Sequence, residues 1–226
     1  MLKFDLHMHS YYSFDSLNPP EKIVETAIRK GLDGIAVTDH NVNRIDWDAL
    51  QKKYPQLIII PGIEVGTAGT GDILCYFIRD ELSIKDPYKL VDTVHEKNGL
   101  AVLAHPYHHR KKSFSYDSKL LKSLDCIETG NAHNLSNTEK AFKLADEFSK
   151  PYTGGSDAHC LYEIGNGITL LDITKKEAED ENKLKQAILN AQVIRPSNSI
   201  ISVKYSFIFS QSVKYLKKFH LIKENV

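Results

Sequence analysis

Ten of the 226 residues are histidine, and five of these sit in short motifs, four of the five beside carboxylates. The motifs are Asp5-Leu6-His7-Met8-His9-Ser10, Thr38-Asp39-His40-Asn41, Ala104-His105-Pro106 and Gly155-Ser156-Asp157-Ala158-His159. Pro61-Gly62-Ile63-Glu64 and Ile127-Glu128 add two further carboxylates. In His-x-His or Asp-x-His on an extended backbone the two side chains point to one face, so both can reach one ion. Imidazole nitrogen together with carboxylate oxygen suits Zn, Mn, Fe or Ni. Five histidines with at least three carboxylates exceed the ligand set of one zinc. The arrangement expected is therefore two or three divalent ions bridged by a carboxylate. Clustered cations also offset the repulsion and desolvation of so many buried carboxylates.

The other histidines divide. His95 falls on the polar face of a helical pattern and His220 in the tail, so neither is assigned to the site. His108 and His109 open a basic loop, His108-His109-Arg110-Lys111-Lys112, which reads equally as a solvated surface. His133 stays open between ligand and proton donor. Asp5 and Asp39 are read as supports behind the ligands. The three cysteines, Cys75, Cys126 and Cys160, show no CxxC spacing, so neither a disulfide framework nor a zinc knuckle is expected and a reducing cytosol fits; Cys160, next to His159, reads as a small packed residue.

These residues need strand ends to present them. Short runs rich in Ile, Val and Leu occur at 2–7, 34–38, 57–60, 73–78, 100–104, 125–129, 152–155 and 168–173. Near-continuous apolar runs suit strands buried on both faces of a parallel sheet. Helical patterns fill the gaps. Asn18 is expected to cap a helix begun by Pro19-Pro20. Asp86 precedes another, and Ser136-Asn137-Thr138-Glu139 reads as a capping box for a third. A further helix is expected over 183–191. Strand–helix alternation predicts βα units with right-handed crossovers, and eight candidate strands favour a small α/β barrel over an open doubly wound sheet. The polar motifs sit at or just after the strands, where such folds place their chemistry. Residues from about 200 onward mix strand and helix patterns and are read as an element appended to one domain spanning 1–226.

Composition narrows the function. Hydrophobic residues make up 42% and charged residues 26%, which excludes collagenous, disulfide-framework and wholly disordered chains. Lys and Arg total 29, as do Asp and Glu, so no global field attracts long nucleic acid. Residues 201–226 hold five Lys against one Glu. The N-terminal residues lack a signal peptide's apolar stretch, and no apolar run reaches the ~18 residues of a membrane span. A cytoplasmic protein that contacts no membrane is expected. Oligomeric state is not legible, although Tyr205, Phe207, Ile208, Phe209, Val213 and Leu216 offer apolar surface for the barrel or a second chain.

The stretches DLHMHSYYSFDS, VTDHN, PGIEV, AHP and GGSDAH resemble, in order, the motifs of the PHP (polymerase and histidinol phosphatase) family, and more its short stand-alone phosphoesterases than its polymerase-attached domains. The resemblance runs from Asp5 to His159. It implies a distorted (β/α)7 barrel of the TIM kind with a trinuclear metal centre at the C-terminal strand ends. In that scheme His7, His9, Glu64 and Asp157 hold one ion. Glu64 bridges to a second, held also by His105 and by Glu128, with His133 the competing ligand. Asp15, His40 and His159 surround a third.

Such ions, a few ångströms apart, would generate a bridging hydroxide near neutral pH and grip phosphate oxygens for in-line attack on phosphorus. The expected activity is hydrolysis of a phosphoester in a small phosphorylated metabolite or nucleotide. Arg110 is the candidate phosphate clamp. His108, His109 or His133 is the candidate donor to the leaving group. Three alternatives are carried. One is an exonuclease stacking bases on Tyr11, Tyr12 and Tyr107. Another is an amidohydrolase, which shares the His-x-His strand end. The last is a non-catalytic metal-binding regulatory module.

Overall fold

Apolar runs with polar ends become a curled sheet wrapped by helices. The computed structural model describes residues 1–108, 116–196 and 200–222. Its strands are β1 (Leu2–Asp5), β2 (Gly34–Val37), β3 (Ile58–Thr67), β4 (Gly71–Tyr76), β5 (Leu100–Leu103), β6 (Cys126–Asn131), β7 (Tyr152–Gly155), β8 (Ile168–Leu171) and β9 (Gln192–Ile194). Its helices are α1 (Pro20–Arg29), α2 (Trp47–Lys53), α3 (Pro87–Glu96), α4 (Ser118–Ser123), α5 (Thr138–Glu147), α6 (Glu181–Leu189) and α7 (Ile200–Lys218).

The strands form one sheet in the order β7-β6-β5-β4-β3-β2-β1-β8-β9. β1, β2 and β3 run parallel, as do β5, β6 and β7. The sheet curls until β7 meets the end of β1. There Leu6 N donates to Gly154 O at 3.4 Å, and Met8 bridges Ala158 in parallel. The architecture is a distorted, nearly closed α/β barrel. Gly155 permits this seam, because a Cβ there would stand 2.3 Å from the His7 Cβ.

The wholly parallel sheet expected from the apolar runs is corrected at β4, which is antiparallel to both β3 and β5. Only three residues join it to β3, too few for a crossover helix. β8 and β9 are also antiparallel to their neighbours.

Alternation along each strand separates two environments. Phe4, Ala36, Ile60, Leu74, Tyr76, Val102 and Cys126 pack inside the barrel, closed at one end by Leu171, Leu184 and Ile188. Outside, Ile23, Val24 and Ala27 of α1 pack on Ile35 and Val37. Leu90, Val91 and Val94 of α3 meet Leu103 and Ile127.

Aspartates cap the starts of α2, α3, α4 and α6 with Asp46, Asp86, Asp117 and Asp180. The two other expected caps are not made. Pro19 occupies the cap position of α1, and the Asn18 amide instead donates to His9 O. A 3-10 turn, Leu135–Asn137, precedes α5, and no side chain caps it. The Asn137 amide is committed to Tyr107 O and Asn134 Oδ1. The tail resolves into α7. No helix among the described residues is long and apolar enough to cross a membrane.

Candidate metal centre

His7 and His9 follow β1 and lie fully buried, two positions apart on one side of the chain. His40 follows β2, Glu64 lies within β3, His105 follows β5, and Asp157 and His159 follow β7. All converge on one end of the barrel. Glu64 is the hub: its Oε1 lies 3.0 Å from His105 Nε2, and its Oε2 lies 3.0 Å from His40 Nδ1 and 3.3 Å from His7 Nε2. Asp157 Oδ1 stands 3.2 Å from His9 Nε2 and 3.6 Å from His7 Nε2. Asp15 Oδ2 lies 3.3 Å from His40 Nε2 and 3.2 Å from His159 Nε2.

Among the described residues, donor atoms gather within 4.8 Å of one another in four groups. One joins Asp15, His40 and His159 with His9, another joins His7, Glu64 and His105, and a third joins His7, His9 and Asp157. The fourth joins His133, Asp157 and His159.

Glu128 takes a different place. Its Oε1 lies 2.9 Å from His7 Nδ1, while its Oε2 accepts from His105 N and the Asn131 amide. Its carboxylate is committed to holding two of the histidines and stands outside the four groups. His133 Nε2 pairs with Glu163 Oε1 at 2.8 Å, and His133 Nδ1 lies 3.9 Å from Asp157 Oδ2. Asp72 at the start of β4 approaches His105 Nε2 at 3.8 Å and lines the cavity. Sequence reasoning missed it, although a carboxylate in the apolar run Gly71–Tyr76 is a usable signal.

Other carboxylates hold the backbone. Asp5 Oδ1 accepts from Ser156 N at 2.8 Å and Oδ2 from Gly165 N at 2.7 Å, fixing the turn that presents Asp157. Asp39 accepts from the amide and hydroxyl of Ser10. His105, Asp157 and Asn41 adopt left-handed backbone, with φ of 27°, 55° and 57°. The Asp157–His159 motif is thus not extended, as its spacing implied. The turn re-aims its carboxylate, an arrangement that persists only when surroundings enforce it.

Burial raises the cost of every charge here, so the groups pair. Burial opposes protonation of His40, but Glu64 and Asp15 beside it push its pKa up to about 10. Burial likewise opposes His159, and Asp15 raises it to about 9. His9 goes the other way, lowered to about 4 by burial and by the neighbouring His159 and His40. Burial would raise Asp15, Glu64 and Asp157, yet the surrounding histidines hold all three well below the usual carboxylate range.

This donor set fits divalent ions. Nitrogen and oxygen donors mix in each group, the carboxylates favour the ionised form, and His9 Nδ1 is buried without a hydrogen-bond partner.

The centre opens into a cavity of about 430 Å³ lined by Phe14, Asp72, His108, His133 and, from α7, by Phe207, Ser210, Gln211 and Lys214. A larger recess of about 600 Å³ lies beside α6, lined by Met1, Ile173 and Asp180 but by no histidine or cysteine. Among the remaining sequence candidates, His95 pairs with Asp125, apart from the centre, and Tyr11 and Tyr12 line a separate recess with Ile45 and Leu50. Arg110 and His109 lie outside the described residues.

Comparison with known proteins agrees with this geometry. Residues 5–189 match the PHP domain, and the chain belongs to that family. It is 29% identical over 195 residues to the uncharacterized protein MJ0417 of Methanocaldococcus jannaschii, covering 82% of this chain and 77% of that one. Among solved structures, PsfC from Pseudomonas syringae superposes with a TM-score of 0.71 at 19% identity, covering 94% of this chain and 98% of that one. A two-domain protein from Bacteroides vulgatus, described as containing a predicted PHP-like metal-dependent phosphoesterase, gives 0.72 at 20% identity, with 92% and 69% covered.

Proposed function

We propose that the protein is a metal-dependent phosphoesterase acting on a small phosphomonoester. Family membership and the donor set support the broader reading of a metal-dependent hydrolase. The observation that carries the narrower one is Glu64. Its two oxygens face different histidines, so one carboxylate joins two adjacent ligand groups at the floor of an open cavity.

His7, His9, Glu64 and Asp157 would hold one ion, Glu64 and His105 a second, and Asp15, His40 and His159 a third, with Zn, Mn or Fe the metals this mixture suits. Bound there, the ions would activate water near neutral pH and neutralise charge on phosphate oxygens. The chain supplies the rest. Glu128 orients His7 and the backbone of His105. His133, kept in place by Glu163, stands at the cavity wall, where it would donate a proton to the leaving oxygen. Lys214 is the one lysine or arginine lining the cavity among the described residues, and it lies over the Phe14 ring at 4.7 Å, placed to meet the negative charge of an entering phosphoester. The three tyrosines of the nuclease reading are not among the cavity's lining residues.

The test is phosphate release from a panel of phosphomonoesters and mono- and dinucleotides with added Mn²⁺, using Asp157→Ala as control. Release by the wild type alone is the expected result. Loss of at least about a thousandfold is expected in the variant, because residues acting as a unit fail together. No release from metal-loaded wild type would overturn the reading in favour of amide hydrolysis or a non-catalytic module.

A further inference from the structure

Helix α7 lies beyond the residues that match the family, yet it reaches the centre. Among its described side chains the buried positions are Ser206, Ser210, Val213 and Lys217, spaced four, three and four residues apart. That is the inward stripe of an amphipathic helix. A helix serving only as an anchor would carry Leu or Ile on this stripe. Here it carries small residues, which allow close approach, and one lysine, a residue type almost never fully buried unless paired.

Lys217 is 6% exposed. Its ammonium donates to Tyr11 O at 2.6 Å, Ser13 O at 2.6 Å and Ser16 O at 3.0 Å. An ammonium has three donors, and three converging carbonyls meet them. All three carbonyls belong to the loop that carries Asp15. Within it, Ser13 Oγ donates to Asp15 Oδ1 at 2.7 Å, leaving Oδ2 toward His40 and His159. The loop has few backbone bonds of its own, chiefly Ser13 N to Ser10 O and Tyr11 N to Asn18 O. Three carbonyls pointing at one place repel one another unless a cation sits between them.

We propose that Lys217 is a positioning residue for Asp15: α7 reaches over the strand ends and pins the loop so that the carboxylate faces His40 and His159. The proposal rests on the reading of Asp15 as a metal ligand, but not on which ester is hydrolysed.

The experiment uses full-length Lys217→Met, with the exposed Lys218→Met as control. Amide hydrogen exchange of residues 11–16 is measured in the metal-free protein, and Mn²⁺ binding is measured by titration and by elemental analysis. Lys217→Met should exchange at least tenfold faster in 11–16 with no change around 34–40, and should bind one equivalent of Mn²⁺ at least tenfold more weakly. The drop in activity should fall on kcat rather than KM. Lys217→Gln, which keeps an amide donor, should be intermediate, and it carries the same readouts if the methionine variant does not fold. Wild-type exchange and wild-type affinity for every ion in a folded Lys217 variant would overturn the proposal. A wild type that binds metal but releases no phosphate would instead overturn the phosphoesterase reading, leaving the exchange and binding results to decide the role of Lys217.

Discussion

His7 Nδ1 lies 2.9 Å from Glu128 Oε1, on the opposite side of the imidazole from Glu64. This fixes which ring nitrogen faces the centre. Replacing a partner behind a ligand costs about 10–100-fold in metal affinity or activity, whereas removing a ligand removes the site. Glu128→Gln should therefore keep measurable phosphate release within that range, and Glu64→Gln should lose it entirely. Side-by-side kcat/KM and metal content would separate the two. Equal losses would put Glu128 among the ligands after all.

His133 faces the cavity with Nε2 held by Glu163 at 2.8 Å. If it protonates the leaving oxygen, the demand depends on the leaving group. His133→Asn should lower kcat about 10²-fold for alkyl phosphates, the usual size of a general-acid contribution. It should leave p-nitrophenyl phosphate, whose leaving group needs no proton, close to wild type. A uniform loss across both esters would argue for a ligand role.

Metal loading should release protons. In the metal-free protein His40 and His159 titrate near 10 and 9, so both carry a proton at pH 8. Ions bind neutral imidazole. Affinity should then rise as pH goes from 7 to 9, with proton release visible as a buffer-dependent heat in calorimetry. Stability follows the same sign. These raised values stabilise the metal-free fold fully below the unfolded histidine's ~6.5 and lose that contribution as pH climbs through 9 and 10. The metal-loaded protein should show a flatter melting profile over this range. A pH-independent affinity would contradict the assignment.

Gly155→Ala should disturb the barrel seam directly. The added methyl would meet the His7 Cβ at 2.3 Å and His7 N at 2.6 Å. Overpacking of this kind costs about 1–3 kcal/mol. Thermal unfolding should show that loss, together with weaker metal binding, since the displaced residue is a ligand candidate. Gly31→Ala, at φ 72° but with no atom near its Cβ, should lower stability without touching the metal.

Much of this was legible because the chemistry is local. His7 and His9 share a dipeptide spacing, and Glu64, His105 and Asp157 each follow or end an apolar run, so strand ends could be named before their order was known. What escaped depended on contacts distant in sequence. Whether Glu128 holds an ion or stands behind His7 turns on the direction of the His7 ring, which no local motif carries. β4 is antiparallel because Thr67-Ala68-Gly69-Thr70-Gly71 turns the chain too tightly for a helix, a glycine-rich hairpin signal that strand–helix alternation overrode. The α7 period was blurred because its inward stripe contains Ser206, Ser210 and Lys217, which hydropathy reads as surface.

The seam between β1 and β7 has a temporal meaning. His9 and Asp157 face each other across it from positions 148 residues apart. During synthesis the first strand must wait, one edge unpaired, while almost the whole barrel is made. With β1 already held by β2, a slip of one residue at that late pairing would carry β7 and the Asp157 carboxylate that follows it out of line with His9. Correct closure and a competent centre thus arise in one event: a misregistered chain is inert from birth, not an enzyme that later fails.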